Sequence, residues 1–447
     1  MKENQLETAK SVILAVHVVA SVFLTGYMWF GFPGRYVSGE PTSGMEVAVR
    51  SDVNPRDFLM PSRIASHYGN GAFSLWPRGT PGYDEAWNEG RPLTLVMGEL
   101  AGTAGGDEAD RARRQGVGIE FMLAVALPFS QWLDYMGIEA PAGWDFPTSR
   151  FFLTTAGNRA FVRTSPGSYK VINLMVDAQV LKEALTLSPP GPGDGAWLLP
   201  GEAAGVGVSD GVFLPVASPE AAALSLEAEA ADVQAILAGF FVDPSVVRRI
   251  EERDGAIIYT DGSIGLRVYP WGGLEYATPF TDIGPEFPNL AEALRKSVDF
   301  VAQHGSWPEN PFLTSWSPTL LGGMAEGLSL RFSYTIDSRP VISSGFPLEV
   351  SVGGQEVAGY RRNVLCPVGE QHSASRVIRP LDAIRAVVDG QDVRLEGTVT
   401  DVYLGYWVKA GEDLKGLAVP VWVVTMEGDR PVLVDAHTGS IVDIRER

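Results

Sequence analysis

With 447 residues, 45% of them hydrophobic and 20% charged, the chain is long enough for about two to four domains with buried cores, which excludes a mainly disordered protein. Its formal net charge of −19 disfavours nucleic acid and anionic lipid headgroups as partners of the main body, because such binding needs clustered Lys and Arg. The single cysteine, Cys366, rules out an intrachain disulfide and any CxxC metal site, and it is expected to be a small buried apolar residue in a strand.

Residues 1–10 form a short polar N-terminus, followed from Ser11 to Phe32 by a stretch without a formally charged side chain. As a helix rising about 1.5 Å per residue it spans roughly 33 Å, enough to cross a hydrocarbon core of about 30 Å. A cleaved signal peptide would have a shorter apolar core and a small-x-small cleavage site. Here the stretch runs instead into Tyr27, Trp29 and Phe30 before Pro33-Gly34, as suits a retained anchor at a membrane interface. The weak excess of positive charge on the N-terminal side favours an inside N-terminus and an extracytoplasmic remainder. Ser11, Ala15, Val18, Val22 and Gly26 fall along one side of this helix and are the candidate contact face for another transmembrane helix. His17 projects to the opposite side.

Three sectors follow a Pro/Gly-rich juncture at 33–44. The first, 45–205, holds a Gly/Asp-rich loop from Ala101 to Gly116 and ends in the Pro/Gly-rich stretch Ser188–Gly205, a linker or long surface loop. The basic patch Arg111-Ala112-Arg113-Arg114 beside Asp107, Glu108 and Asp110 reads as belonging to that solvated loop. The second sector, 210–325, is expected to hold helices at Pro219–Phe241 and Pro244–Arg253, strands at Ala256–Tyr259, Gly265–Tyr269 and Leu274–Thr278, and a helix at Asn289–His304.

The third, 326–447, is expected to hold strands at Leu328–Ile336, Pro347–Val352 and Glu356–Asn363, a helix at Ala374–Val388, and then a meander. Val393, Leu395 and Val399 alternate with polar neighbours at the two-residue period of a half-buried strand. Val419–Met426, Val432–Ala436 and Ile441–Ile444 complete it. The fold class is therefore α+β: a transmembrane helix followed by a multi-domain exported region with antiparallel sheets covered by helices.

The chain lacks the motifs of common enzyme chemistries: no HExxH, Walker loop, strand-following GxGxxG or SxxK. Asp261-Gly262-Ser263 reads as a turn, and the five histidines as residues of helix ends and turns. No catalytic residue, cofactor or metal site is nominated. A wall-polymer hydrolase using a carboxylate pair is the weakest alternative, because the tryptophans that would line a sugar groove include Trp407 and Trp422, both in predicted strands.

Several stretches resemble the YycH family. Met60-Pro61-Ser62-Arg63-Ile64 with His67 is similar to its Arg-Pro-Ser-Lys-Ile segment and following His. Ile119-Glu120-Phe121 through Leu127-Pro128, Tyr259-Thr260-Asp261-Gly262, Leu266-Arg267-Val268, Gly273-Leu274-Glu275-Tyr276 and His304-Gly305-Ser306-Trp307 follow in the family's order. Tyr403-Leu404-Gly405-Tyr406, Val419-Pro420-Val421-Trp422 and Ala436-His437-Thr438-Gly439 resemble its C-terminal strands, a region similar to YycI and to PepSY-like modules. The chain departs from the pattern at Met60 and in 101–116. The resemblance implies a regulator, not an enzyme, that forms a membrane complex with YycI and the sensor histidine kinase WalK (YycG) of the cell-wall two-component system of Gram-positive bacteria. A PepSY-like module that binds or inhibits an extracytoplasmic protease or cell-wall hydrolase is the alternative.

Overall fold

The computed structural model describes residues 53–444 except 186–188, 191–194, 229–232, 279–288, 306, 322–323, 344, 346, 354–355, 369–372, 391–396, 409–414 and 429–430. Among the described residues the chain forms sheets of nine, ten and eight strands and a two-stranded ribbon. Helices lie on the sheets, as expected for an α+β chain.

The nine-stranded sheet runs in the order Phe213–Pro215, Ala196–Leu198, Phe73–Pro77, Arg63–Tyr68, Val117–Pro128, Pro147–Thr154, Arg159–Ser165, Ser168–Leu174, Met97–Gly105. In its middle strands both faces are buried, while the edge strand Met97–Gly105 is largely exposed. Ile64, Ile119, Phe121, Phe151, Val162 and Ile172 point into the main core, where Tyr83 and Trp87 of the helix Pro81–Gly90 and Trp132 of the helix Phe129–Tyr135 meet them. The alternate residues Phe152, Phe161 and Val171 pack under Ala109 and Ala112 of the helix Gly106–Gln115. Two-sided burial explains why Val117–Pro128 reads as a nearly continuous apolar run.

That helix, with the strand Met97–Gly105 before it, replaces the loop expected over Ala101–Gly116. Ala109, Ala112 and Arg113 form its buried side at the three- and four-residue spacing of one helical face. The Pro/Gly-rich stretch is likewise not a boundary: Ala196–Leu198 and Phe213–Pro215 pair with each other at one end of this same sheet.

The eight-stranded sheet is ordered Arg248–Glu251, Ile257–Thr260, Gly265–Val268, Leu274–Ala277, Glu356–Arg362, Leu348–Gly353, Met324–Ser333, Phe312–Leu321. The helix Leu290–Gln303 starts where Asn289 accepts a side-chain hydrogen bond from the Glu292 N–H at 2.8 Å, satisfying one of its orphan donors. It buries Leu290, Ala293, Leu294, Val298 and Val301. Strands on both sides of residue 325 belong to this one sheet, so the expected boundary between 210–325 and 326–447 falls inside a sheet and not between sheets.

The ten-stranded sheet is centred on Thr398–Val408 and Lys415–Met426. Val432–Asp435 and Ile441–Ile444 continue the expected meander, and the turn between them has Asp435 Oδ1 accepting from the N–H groups of His437 and Thr438. The helix Pro380–Asp389 covers this region with Ala383, Ile384 and Val387 against Val402, Trp422, Val424 and Val434. It is shorter than the helix expected at Ala374–Val388, because Ser375–Arg376 is a strand paired with Glu220–Ala221.

Two earlier segments complete the sheet: Val206–Val208 runs parallel to Thr398–Val408, and Leu224–Ala228 pairs antiparallel with Lys415–Met426. The helix expected at Pro219–Phe241 is therefore confined to Val233–Phe240. Pro244–Arg253 is a 3-10 turn at Pro244–Val246 followed by a strand. Cys366, expected to be buried, is exposed in the short strand Leu365–Pro367. The strand residues Val393 and Leu395 lie outside the described residues.

Candidate functional site

In an antiparallel sheet, residues directly opposite one another share a face. Arg63 is opposite Met122, Met122 opposite Arg150, Arg150 opposite Arg163, and Arg163 opposite Tyr169. One row of the nine-stranded sheet thus carries three guanidinium groups. Two residues along, Glu120 stands opposite Ala65 and Phe152 on the same face, and His67 follows on the strand of Arg63.

The helix Gly106–Gln115 lays Arg113 over this row. Its Nε and Nη2 donate to the two oxygens of Glu120 at 2.8 and 2.9 Å, and both side chains are fully buried. Nη1 reaches Asp110 Oδ1 at 2.9 Å, and Nη2 also contacts the Tyr169 hydroxyl at 3.0 Å. The guanidinium sits 4.3 Å from the centre of the Phe152 ring, a cation–π arrangement. Tyr169 donates in turn to Asp210, which accepts the Gly167 N–H at 2.8 Å.

Burial by itself would raise the Glu120 carboxyl, but Arg113, His67 and Arg150 outweigh it and hold the group far below the ordinary carboxylate range. Burial raises Asp110, against the pull of Arg113. His67 Nε2 lies 3.3 Å from Glu120 Oε2, yet neither ring nitrogen completes an aligned hydrogen bond. Packed against Phe73 and Phe152, the imidazole is pushed below its ordinary value chiefly by desolvation and is neutral at pH 7. This His–carboxylate pair has no access to solvent and organises the interior.

Access begins at Arg63. Its guanidinium is hydrogen-bonded to Asp401, which stands on the strand Thr398–Val408, and lies 5.2 Å from the Tyr403 ring centre. Burial opposes ionisation of Asp401, but Arg63 and Arg150 together keep its carboxyl below the usual range. The pair bridges the nine- and ten-stranded sheets and separates two cavities. One, of about 450 Å³, is lined by Arg63, Arg150, Arg163, Thr148, Ser149 and Thr400 among others. The second, of about 690 Å³, is largely apolar and is walled by Leu75, Leu123, Tyr403, Leu404 and Trp422, with Arg63, Arg78 and Arg339 as its cationic groups. The junction between the sheets is the candidate site, and its chemistry is recognition: fixed guanidinium forks and hydroxyls beside an apolar pocket.

Among the described residues no cluster of His, Cys, Asp and Glu is arranged to hold a metal ion, and no helix is long and apolar enough to cross a membrane. Ser11, Ala15, Val18, Val22 and Gly26, the contact face expected on the anchor, lie outside the described residues. Asp261 and Ser263 form the expected turn, with Asp261 Oδ1 accepting from the N–H groups of Ser263 and Ile264.

His304 and His437 occupy a helix end and a turn, as expected. His67 does not: it is in a strand and buried. Arg113 and Asp110, expected in a solvated loop, are instead central to the buried network. The signal for it was Glu120, one carboxylate inside the apolar run Val117–Leu127, which burial forces to have a cationic partner.

The fold and site define a mainly antiparallel α+β protein whose sheets meet at an arginine-lined junction. The family model described as YycI protein matches residues 330–437. The crystal structure of YycH from Bacillus subtilis resembles the chain with a TM-score of 0.53 and 13% sequence identity, over 85% of this chain and 97% of that one. The chain is thus YycH-like in fold, and its residues 330–437 match the YycI model. The crystal structure of an uncharacterized protein from Eubacterium rectale is similar over 54% of this chain and 91% of its own, at 13% identity and a TM-score of 0.35, too low to bear on the fold. No curated protein sequence matches the chain.

Proposed function

We propose that this protein is a membrane-anchored, extracytoplasmic regulator of a cell-wall sensor histidine kinase of the WalK (YycG) type, acting in a complex with a YycI protein. The observation that carries this reading is the coincidence of a YycI domain at 330–437 with a YycH-like fold over most of the chain. The uncharged stretch Ser11–Phe32 supplies the route. A helix beside kinase transmembrane helices biases a two-state equilibrium if it binds one state better than the other. The buried network and the bridging Arg63–Asp401 pair suit a body that holds a surface in place, and they need no turnover.

Cross-linking from positions in Ser11–Phe32 in native membranes, with identification of the captured proteins, tests the reading. Capture of a sensor kinase and a YycI protein is expected, and replacing Ala15 and Gly26 with Leu should weaken it. A mature chain that begins near Tyr36, or capture of an extracytoplasmic protease or wall hydrolase in place of the kinase, would overturn it.

A further inference from the structure

We propose that the cavity between the nine- and ten-stranded sheets is a binding site for a small oxyanion, a phosphoryl or carboxylate head group, held by Arg163 and Arg150 with Arg63 at its edge. Arg150 and Arg163 are directly opposite each other on neighbouring strands. Like charges in that relation repel, and a fold keeps them side by side most readily when something negative sits between.

The carboxylates nearby are largely committed elsewhere. Both oxygens of Glu120 are taken by Arg113, and Arg150, whose Nη1 donates to the Gly211 carbonyl, reaches that carboxylate at 3.7 Å. Arg163 spends Nη2 on the Ser209 hydroxyl at 2.9 Å, while its buried Nε has no partner. Asp401 is held by Arg63, and Glu427, at the rim, is exposed. Desolvation lowers the Arg150 pKa, and Arg163 and Arg63 add to the effect against the pull of Glu120 and Asp401, so an entering anion relieves the repulsion between the guanidinium groups. On the same walls Thr148 and Thr400 already donate to the Arg150 and Thr425 carbonyls, which leaves the Ser149 hydroxyl as a donor to the anion. The guanidinium fork matches both phosphate and carboxylate oxygens.

Asp401 gives the site a signature, because it competes with the ligand for Arg63. Titration calorimetry of the full chain at low ionic strength, with inorganic phosphate and with citrate as separate probes and chloride as control, tests the proposal and tells the two sources apart. Saturable one-to-one binding of at least one probe is expected. Arg163→Gln should weaken it by about tenfold or more, the loss of a charge-assisted bond, while Asp401→Asn should strengthen it.

Arg159→Gln, on the same strand but paired with Glu108, should leave binding unchanged. Should Arg163→Gln fail to fold, Ser165→Glu, at an exposed rim position, should abolish binding instead. Binding of neither probe, or wild-type affinity in Arg163→Gln or Ser165→Glu, would overturn the site. Neither result touches the kinase reading, which depends on the anchor.

Discussion

Arg113 and Glu120 form a two-pronged ion pair, with contacts of 2.8 and 2.9 Å between side chains that solvent does not reach. It pins the helix Gly106–Gln115 to the middle of the nine-stranded sheet. Removing one partner leaves a charge buried without compensation, which costs about 3–5 kcal/mol. Glu120→Gln and Arg113→Met should each lower the unfolding free energy of the full chain by that order in urea titrations. The double substitution should cost less than the sum of the two, because neither member of the pair is left charged opposite a neutral partner, although Asp110 and Arg150 each still lose a neighbour of opposite charge.

Acid should destabilise the protein in two stages. The folded-state value of His67 is depressed below the ordinary 6.5, so as pH falls below that value the unfolded chain binds a proton that the folded one refuses, and stability drops. Glu120 and Asp401 are depressed from 4.5 and 3.8. Their contribution is complete above those values and is lost as pH falls through the folded ones. Asp110, raised by burial, works in the opposite sense and offsets some of the second stage. Thermal melts from pH 8 to 3 should show both limbs. His67→Gln should shrink the upper one, leaving the share of His304, which is also depressed by burial.

The contact between the nine- and ten-stranded sheets should loosen when Arg63 or Asp401 is truncated to alanine, which, unlike asparagine at 401, leaves no acceptor or donor at the bridge. Asp401→Ala leaves a largely buried guanidinium without its carboxylate, at a cost of about 1–3 kcal/mol. Hydrogen exchange should rise at Thr398–Val402 and Arg63–Ser66, with little change in the helix Leu290–Gln303.

Gly118 permits the close pairing of Val117–Pro128 with Pro147–Thr154: a Cβ there would lie 2.3 Å from the Leu153 carbonyl oxygen. That atom is backbone and cannot step aside, so Gly118→Ala should cost about 1–3 kcal/mol. Gly201, where a Cβ meets nothing within 4 Å, is the control, and its alanine variant should stay within about 0.5 kcal/mol of wild type. Denaturant midpoints of the two variants check this directly.

The C-terminal meander and the helix Leu290–Gln303 are legible in the sequence because their signals are local. Asn289 caps the helix, the apolar residues repeat at helical spacing, and the turn at His437-Thr438-Gly439 punctuates two strands. Pro219–Phe241 misleads for the opposite reason. Its alanine, leucine and glutamate favour helix, but Leu224 and Leu226 alternate with Ser225 and Glu227, and pairing with Leu417 and Ala418 overrides propensity. Arg63, Arg150, Arg163 and Asp401 were not legible as a site, since they come together only through strand register and the meeting of two sheets.

Leu224–Ala228 and Val206–Val208 are inserted in a sheet whose other strands are made mostly more than a hundred residues later. Ribosomal synthesis delivers them first, so they must wait, with unpaired edges, until Thr398–Val408 and Lys415–Met426 emerge. Maturation of this half is therefore a late, all-at-once event, and a premature stop codon after the eight-stranded sheet would strand two sticky β segments. Excising 330–437 as a free-standing module would create the complementary defect, a sheet without the staves that Val206–Val208 and Leu224–Ala228 supply.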